Sequence, residues 1–160
     1  MSHTCEKDIR QKSAVSKVLA HAKMQCAKSG SRFTPKRSDI LKVLLKSSLP
    51  LSAYEISDIY NEQSASAMPV MSVYRILDFL QDEHLVHKLS SANKYVACSH
   101  IACEHSHQVS QFLICSSCEK VEEISVSKKL IENLTQQVEQ AGFHLIDRQL
   151  ELKCLCSDCR

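Results

Sequence analysis

Two pairs of cysteines with the same spacing give the strongest chemical signal in the sequence. Cys115 and Cys118 enclose two residues in "CSSC", and Cys156 and Cys159 do the same in "CSDC". Two such steps supply the four sulfur ligands of a closed, tetrahedral structural zinc site. In a zinc ribbon the pairs lie about 15 to 20 residues apart, whereas here a predicted helix and strand intervene. The spacing therefore predicts a zinc ion that fastens the end of the chain to the first pair.

Two other interpretations of these cysteines are weaker. Cys154 is a rival ligand, but it lies two residues from Cys156 and lacks the turn spacing that lets two sulfurs bind one ion. A thioredoxin-like redox role for "CSSC" requires the start of a helix, whereas apolar, strand-like sequence precedes this motif. We therefore favour Cys156 with Cys159 as the second pair of zinc ligands.

A second region rich in metal ligands spans the middle of the chain. It contains His87, Cys98, His100, Cys103, Glu104, His105 and His107, and Glu122 and Glu123 follow the first cysteine pair. A single His or Glu is usually an ordinary surface residue, but together these residues indicate a metal site. Imidazole, thiolate and carboxylate ligands carry less negative charge than four thiolates, which suits an exchangeable, sensing site.

The first half of the chain has the pattern of a small helical domain. Apolar residues at helical spacing predict four helices, with Gly30 ending the first and Thr34 opening the second. Ser52 and Glu55 form a capping-box pattern at the third, and Pro69 opens the fourth. "LVHKL" and "KYVAC" predict two strands around a turn at "SSAN". Helices followed by a hairpin predict a winged helix-turn-helix domain.

Basic residues at two helix starts distinguish a DNA-binding domain from a helical domain without a nucleic-acid role. The start of the second helix is crowded with cations that can meet phosphates together with free backbone N–H groups: Arg32, Lys36 and Arg37. At the start of the fourth helix, three polar side chains are expected to point away from the core: Ser72, Tyr74 and Arg75. An arginine there suits bidentate contact with guanine in a major groove.

The second half of the chain predicts a small α/β unit. "SQFLIC" and "KVEEI" are typical of strands, "SVSKKLIENLTQQVEQAG" of an amphipathic helix that ends at Gly142, and "FHLIDRQLEL" of a further strand. The apolar side of the helix is supplied by Ile124, Leu130, Ile131, Leu134 and Val138. Such an open unit leaves an apolar face and an edge strand, which predicts self-association.

Composition narrows the class of protein. The 160 residues are 44% hydrophobic and 24% charged, which excludes extensive disorder, and a net charge of +2 does not by itself indicate nucleic acid. We expect a cytoplasmic protein without a membrane partner, because neither a signal peptide nor a span of about 20 apolar residues is present. Nine cysteines in a reducing compartment favour metal binding over disulfides.

The ordered motifs "RFTPKR", "SAYEI", "SVYRILDFLQDEHLVHKL", "NKYVAC", "FLICSSCEKVEE" and "CSDC" cover nearly the whole chain. In this order they resemble the ferric uptake regulator superfamily, and within it the zinc uptake regulators. The resemblance implies an α+β fold with an N-terminal winged helix-turn-helix DNA-binding domain in residues 1–98. It also implies a hinge in residues 99–109 and a C-terminal α/β dimerisation domain in residues 110–160.

The resemblance also implies roles for the metal ligands. The four cysteines Cys115, Cys118, Cys156 and Cys159 hold a structural Zn²⁺, and His87, Cys98, a preceding histidine and Glu123 hold a regulatory Zn²⁺. The histidine is His107 or His105, with His107 favoured. Gln111 stands where iron-sensing relatives commonly carry a histidine, and with the soft donor Cys98 it argues for zinc over iron. The sequence also allows a third metal site at His100, Cys103 or His105.

The function implied is a zinc-responsive repressor of zinc uptake genes that binds double-stranded operator DNA as a zinc-loaded homodimer, with one or two dimers per operator. Asn61 replaces an arginine that some zinc uptake regulators use between adjacent dimers. The predicted DNA-binding residues are Arg32, Lys36, Arg37, Tyr54, Ser72, Tyr74 and Arg75.

A zinc enzyme is disfavoured because neither HExxH nor HxE with a downstream Pro-Cys pair occurs. A purely structural zinc module would leave the middle ligands and basic helix starts unused.

Overall fold

A computed structural model describes residues 12–103 and 109–160 of the chain, in two compact units, Met1–Glu104 and His105–Arg160. Within the described residues, the first unit contains α1 Lys12–Lys28, α2 Pro35–Lys46, α3 Ala53–Gln63, α4 Val70–Asp82, β1 Val86–Leu89 and β2 Lys94–Ala97. The second contains β3 Ser110–Cys115, β4 Val121–Ser125, α5 Lys128–Gln140 and β5 Glu151–Cys154. The predicted α+β class is confirmed, and the division between residues 104 and 105 lies within the segment expected to be a hinge.

The helix starts of the first unit follow their local sequence. At α2 the Thr34 side chain accepts a hydrogen bond from the backbone of Arg37, and proline follows it in the first turn. At α3 the Ser52 hydroxyl accepts from the Glu55 N–H, and the Glu55 carboxylate accepts from the Ser52 N–H at 2.7 Å. That backbone N–H holds the pKa of Glu55 below its ordinary value. The predicted capping box is confirmed.

One apolar core joins the four helices and the hairpin of the first unit. The predicted inner faces are buried, including Val18, Ala22, Cys26, Ile40, Leu41, Ile56, Val73, Leu77 and Leu80. Polar contacts also join α1 to the end of α4. The Gln25 amide donates to the Glu83 carbonyl at 2.5 Å, and the Ser29 hydroxyl donates to the Glu83 carboxylate at 2.7 Å. The first and last helices of the unit are thus linked at one end.

The predicted hairpin forms and is fastened to the helices. β1 and β2 pair antiparallel with His87 opposite Val96, and Asn93 in the turn has a φ of 50°. Leu51, which precedes α3, forms an isolated bridge with Tyr95 through two backbone hydrogen bonds of 2.7 and 3.1 Å. We call this hairpin, residues 86–97, the wing. Because of the bridge, the wing and the start of α3 share one backbone network.

The second unit is a three-stranded sheet with one helix between its strands in sequence. The strand order is β4-β3-β5, with β3 antiparallel to β4 and parallel to β5. Helix α5 begins with the Ser127 side chain as its N-cap, and Gly142 follows its end with a φ of 82°. A parallel pair needs a crossover between its strands, and α5 lies in that crossover.

The strand predicted over residues 143–152 is largely wrong. Residues 143–150 form no strand, and β5 is limited to Glu151–Cys154. Alternation of apolar residues specifies a strand only where one face is buried, and Phe143 and Ile146 are 73% and 94% exposed. On α5 only Ile131 of the predicted apolar side is buried, and Leu130 is exposed. This unit therefore presents several large apolar side chains on its surface: Leu130, Phe143, Ile146, Leu152 and Leu155.

A buried glutamine holds the segment before β5 against β3. The Gln111 side chain is 1% exposed, and its amide nitrogen donates to the carbonyl of Arg148 at 3.0 Å. Its amide oxygen accepts from the N–H of Leu150 at 2.5 Å. One side-chain amide therefore satisfies a backbone acceptor and a backbone donor in the residues just before β5, which do not pair with β3 as a strand.

Replacement of Gln111 by leucine should weaken the second unit, because the Leu150 N–H and the Arg148 carbonyl would lose their partner in a buried place. The expected cost is about 1 to 3 kcal/mol. Hydrogen exchange at the Leu150 amide should become faster, whereas Gln136→Leu, the same change at an exposed position of α5, should leave it unchanged. Equal protection in wild type and Gln111→Leu would contradict this assignment.

Candidate metal centres and nucleic-acid surface

The four predicted cysteines of the second unit lie together. The Sγ atoms of Cys115, Cys118, Cys156 and Cys159 are all within 4.8 Å of one another, and those of Cys118 and Cys156 are 3.7 Å apart. Cys115 ends β3 beside the end of β5, because the two strands are parallel. The turn at residues 116–118 brings Cys118 back towards Cys115, and the Glu119 N–H donates to the Cys115 carbonyl at 3.0 Å. The chain after β5 contributes the second pair.

Backbone donors and neighbouring thiols shift the acidity of these cysteines in opposite directions. N–H groups of Cys156, Cys118 and Ser117 lower the pKa of the Cys115 thiol to about 6. A hydrogen bond with Ser117 lowers the pKa of Cys159, but the thiols of Cys156, Cys118 and Cys115 together with burial outweigh it and raise the pKa to about 12. Four thiols this close oppose one another's ionisation, and a divalent cation among them would reverse that effect. The geometry fits a tetrahedral metal with thiolate ligands.

Cys154 is outside this cluster. Its thiol is partly buried and donates to the Leu152 carbonyl at 3.4 Å. It faces Cys115 across the parallel strands in register, but the sulfur cluster comprises the other four cysteines. The structure thus groups the cysteines as their spacing predicts.

The first unit brings together two of the predicted sensing ligands. His87 lies on β1, and Cys98 follows β2 directly. A ring nitrogen of His87 and the Cys98 sulfur lie within 4.8 Å of one another. Cys98 is 1% exposed, its N–H donates to the Leu85 carbonyl at 2.9 Å, and its sulfur accepts from the His100 N–H at 3.4 Å. The wing and the residue that follows it therefore offer a nitrogen and a sulfur ligand close together.

The other predicted sensing ligands lie in the second unit or outside the described residues. Glu123 lies on β4 of the second unit, is largely buried, and accepts a hydrogen bond from the Ser110 hydroxyl. Glu104, His105 and His107 lie outside the described residues. Of the candidates for a third metal, His100 contacts the Ser99 hydroxyl through Nδ1 at 3.3 Å, and its carbonyl accepts from the Cys103 N–H.

The predicted DNA-binding residues form two groups by exposure. Arg32, Lys36, Tyr54 and Arg75 are exposed, while Ser72 and Tyr74 are half-buried. The Tyr54 and Tyr74 rings meet edge to face with centroids 6.5 Å apart, so α3 and the first turns of α4 present a shared aromatic surface. Arg75 lies on the solvent side of α4, beside this pair in sequence.

Arg37 has a contact that the sequence did not indicate. Its guanidinium lies over the Phe79 ring, 3.4 Å from the centroid, and donates to the Arg32 carbonyl. The side chain is partly buried and joins α2 to α4 through a cation–π contact. Arg37 therefore packs against α4 within the helical domain, and its role as a DNA contact stays a prediction. Only tertiary structure reveals this pairing, because Phe79 is 42 positions away.

No helix in the described part of the chain has the length and apolar character needed to cross a membrane.

Residues 28–153 match the model of the ferric uptake regulator family. The zinc uptake regulation protein of Escherichia coli K12 is 32% identical over 149 residues, which are 93% of this chain and 85% of that protein. The ferric uptake regulation protein of Synechococcus elongatus is 29% identical over 146 residues, covering 88% of this chain and 94% of that protein.

Solved structures resemble the chain over most of its length. A zinc uptake regulator complexed with zinc and DNA has a TM-score of 0.78 and 31% identity, covering 91% of this chain and 94% of that one. The crystal structure of holo XcZur has a TM-score of 0.76 and 33% identity, covering 91% of this chain and 97% of that one.

Proposed function

Because the chain belongs to the ferric uptake regulator family, we propose that it is a zinc-responsive transcriptional regulator, and not an enzyme. In this proposal it binds operator DNA as a zinc-loaded homodimer and represses genes for zinc uptake. The observation that carries the proposal is that two candidate metal ligands lie together, His87 on the wing and Cys98 directly after it. The likeness to a zinc uptake regulator complexed with zinc and DNA supports it. The cytoplasm is its place of action.

Zinc at the four-cysteine cluster would be structural. Four thiolates saturate a tetrahedral ion, so no position is left for exchange or catalysis. The second unit buries few large side chains, chiefly Phe112, Gln111 and Ile131. Metal binding to such a unit contributes directly to its folding free energy. The ion would hold the end of the chain against the turn after β3.

Cys118→Ser should release this zinc and unfold the second unit or separate the dimer, because one of four thiolates is lost. Cys154→Ser is the matched control, since that cysteine lies next to the cluster without belonging to it. Metal content by mass spectrometry and the mass of the assembly by light scattering distinguish the two variants. Retained zinc and dimer mass in Cys118→Ser, or loss of both in Cys154→Ser, would contradict the assignment.

Zinc at the second site would be regulatory, giving two zinc ions per subunit. His87, Cys98, His107 and Glu123 supply two imidazoles, one thiolate and one carboxylate, with His105 as the alternative to His107. This set is less anionic than four thiolates, so its ion exchanges more readily. Metal binding would then favour the conformer that fits DNA.

The exposed face of the first unit is suited to duplex DNA. In this proposal α4 enters the major groove, with Arg75 reading a base edge, while Tyr54, Ser72 and Tyr74 complete the surface. Arg32 and Lys36, exposed at the start of α2, would neutralise phosphates. Arg37 would hold α2 against α4 through Phe79. In a dimer, two such helices would match half-sites roughly 34 to 36 Å apart.

The second unit is suited to a homodimer contact. Its exposed apolar residues, among them Phe143 and Ile146, form the kind of surface that obligate partners bury. Where two dimers share one operator, they must meet without an arginine at position 61, because Asn61 stands there. The number of dimers per operator then depends on other contacts.

Arg75→Ala should weaken operator binding by about 1 to 3 kcal/mol and relax the preference at one base pair, if Arg75 contacts a guanine. Lys36→Ala should instead weaken binding to all duplexes alike and reduce the salt dependence, as expected of a phosphate contact. Titrations of selected and random duplexes at several salt concentrations measure both effects. An equal loss on the two duplexes for Arg75→Ala would make Arg75 a phosphate contact.

Cys98→Ser should retain the four-cysteine zinc and the dimer but lose zinc-dependent operator binding, because the regulatory ion loses its thiolate. Zinc-dependent binding of the wild type to duplex DNA is the experiment that tests the proposed function as a whole. Linkage requires that operator DNA tighten the regulatory zinc by the same factor by which zinc tightens DNA. If Cys98→Ser binds operator as tightly as wild type across a zinc titration, Cys98 is not a sensing ligand.

A further inference from the structure

The turn before α4 is held by side chains of α3, which bind both backbone polar groups of one residue, Met68. Asn61 Oδ1 accepts from the N–H of Met68 at 2.7 Å, and Asn61 Nδ2 donates to the Met68 carbonyl at 3.3 Å. The Ser57 hydroxyl also donates to that carbonyl, at 3.0 Å. A further contact of 3.4 Å joins Asn61 Nδ2 to the Ser57 oxygen. Both backbone polar groups of Met68 are therefore bound by α3.

We call the hydrogen bonds from Asn61 and Ser57 to Met68 the clamp. The clamp lies where it can set the direction of α4. Met68 is the last residue before α4 whose N–H can be held, because Pro69 has none. Pro69 is the N-cap of α4 and provides no side-chain cap, so the first turn depends on what fixes the preceding residue. The Pro69 carbonyl accepts from the N–H of Ser72 at 2.9 Å. The clamp thus lies directly before the turn that presents Ser72, Tyr74 and Arg75.

The other residues of the turn have few side-chain contacts that could fix the direction of the backbone. Residues 64–67 are small, and three of the four are exposed: Ala65, Ser66 and Ala67. Met68 is 3% exposed and anchors its side chain in the core, but an apolar contact alone does not set the direction of a backbone. Two directional contacts from one amide do set it, because donor and acceptor must both align.

We propose that Asn61, supported by Ser57, is a positioning residue for DNA reading, which fixes the direction in which α4 leaves the turn. This inference rests on the proposed function, since it assigns α4 to the major groove. Asn61 then acts through Met68 and Pro69 and touches no base. Its loss should lower specific binding while phosphate contacts, and hence non-specific binding, stay intact.

The test compares Asn61→Ala with Glu62→Ala, a change at the exposed neighbouring position of the same helix. The zinc-loaded full-length protein is titrated with a duplex selected by wild type from a random pool, and with a random duplex of equal length. We expect Asn61→Ala to bind the selected duplex about tenfold more weakly and the random duplex equally well. Glu62→Ala should match wild type on both. Hydrogen exchange at the Met68 amide should become faster only in Asn61→Ala.

A second variant keeps the inference testable if Asn61→Ala folds poorly. Ser57→Ala removes one bond to the Met68 carbonyl and keeps both contacts from Asn61, so its loss of specific binding should be smaller. Unchanged affinity of Asn61→Ala for the selected duplex would overturn the inference, as would a parallel loss on both duplexes with reduced helix content. If wild type with zinc binds neither duplex, the proposed function fails and this inference fails with it. Failure of the inference alone requires that wild type binds.

Discussion

The parallel pairing of β3 with β5 is the constraint on which the second unit depends. It places the ends of both strands side by side, so that Cys115 at the end of β3 lies close to the chain that leads to Cys156. A parallel pair needs a long connection, and α5 supplies it. The Gln111 amide aligns the other end of the pair by binding the backbone before β5. The four sulfurs converge because both ends of this short pairing are fixed.

The two units reach stability by different physical means. The first has a continuous core of helix residues, with polar contacts at its margins such as those of Glu83. The second has little buried apolar surface and several exposed apolar side chains, including Phe143. In the proposed function, metal ligation and burial against a second copy would supply the additional stabilisation that such a unit needs.

Local signals in the sequence predicted most of the helices and the cysteine grouping. The Ser52 capping box and the Cys-x-x-Cys spacing are encoded within a few residues, so no tertiary information is needed. Three features were beyond such reasoning. The Arg37 contact with Phe79, the Asn61 clamp on Met68 and the shortness of β5 all depend on which distant groups meet. At position 61 the residue type alone suggested only the lack of an arginine, and its hydrogen bonds required the fold.

In the proposed function, the contacts within the first unit restrict how a metal bound by His87 and Cys98 would act on DNA binding. The wing is joined to the start of α3 by the Leu51–Tyr95 bridge and by the Lys94–Glu55 ion pair at 3.9 Å. The end of α3 is joined to the start of α4 through Asn61. Close-packed units joined in this way move as bodies, since their interiors do not deform continuously. An ion bound through His87 and Cys98 should therefore not reshape α4. In the proposed function, such an ion would leave the contacts within the first unit unchanged, including the hydrogen bonds of Asn61 to Met68.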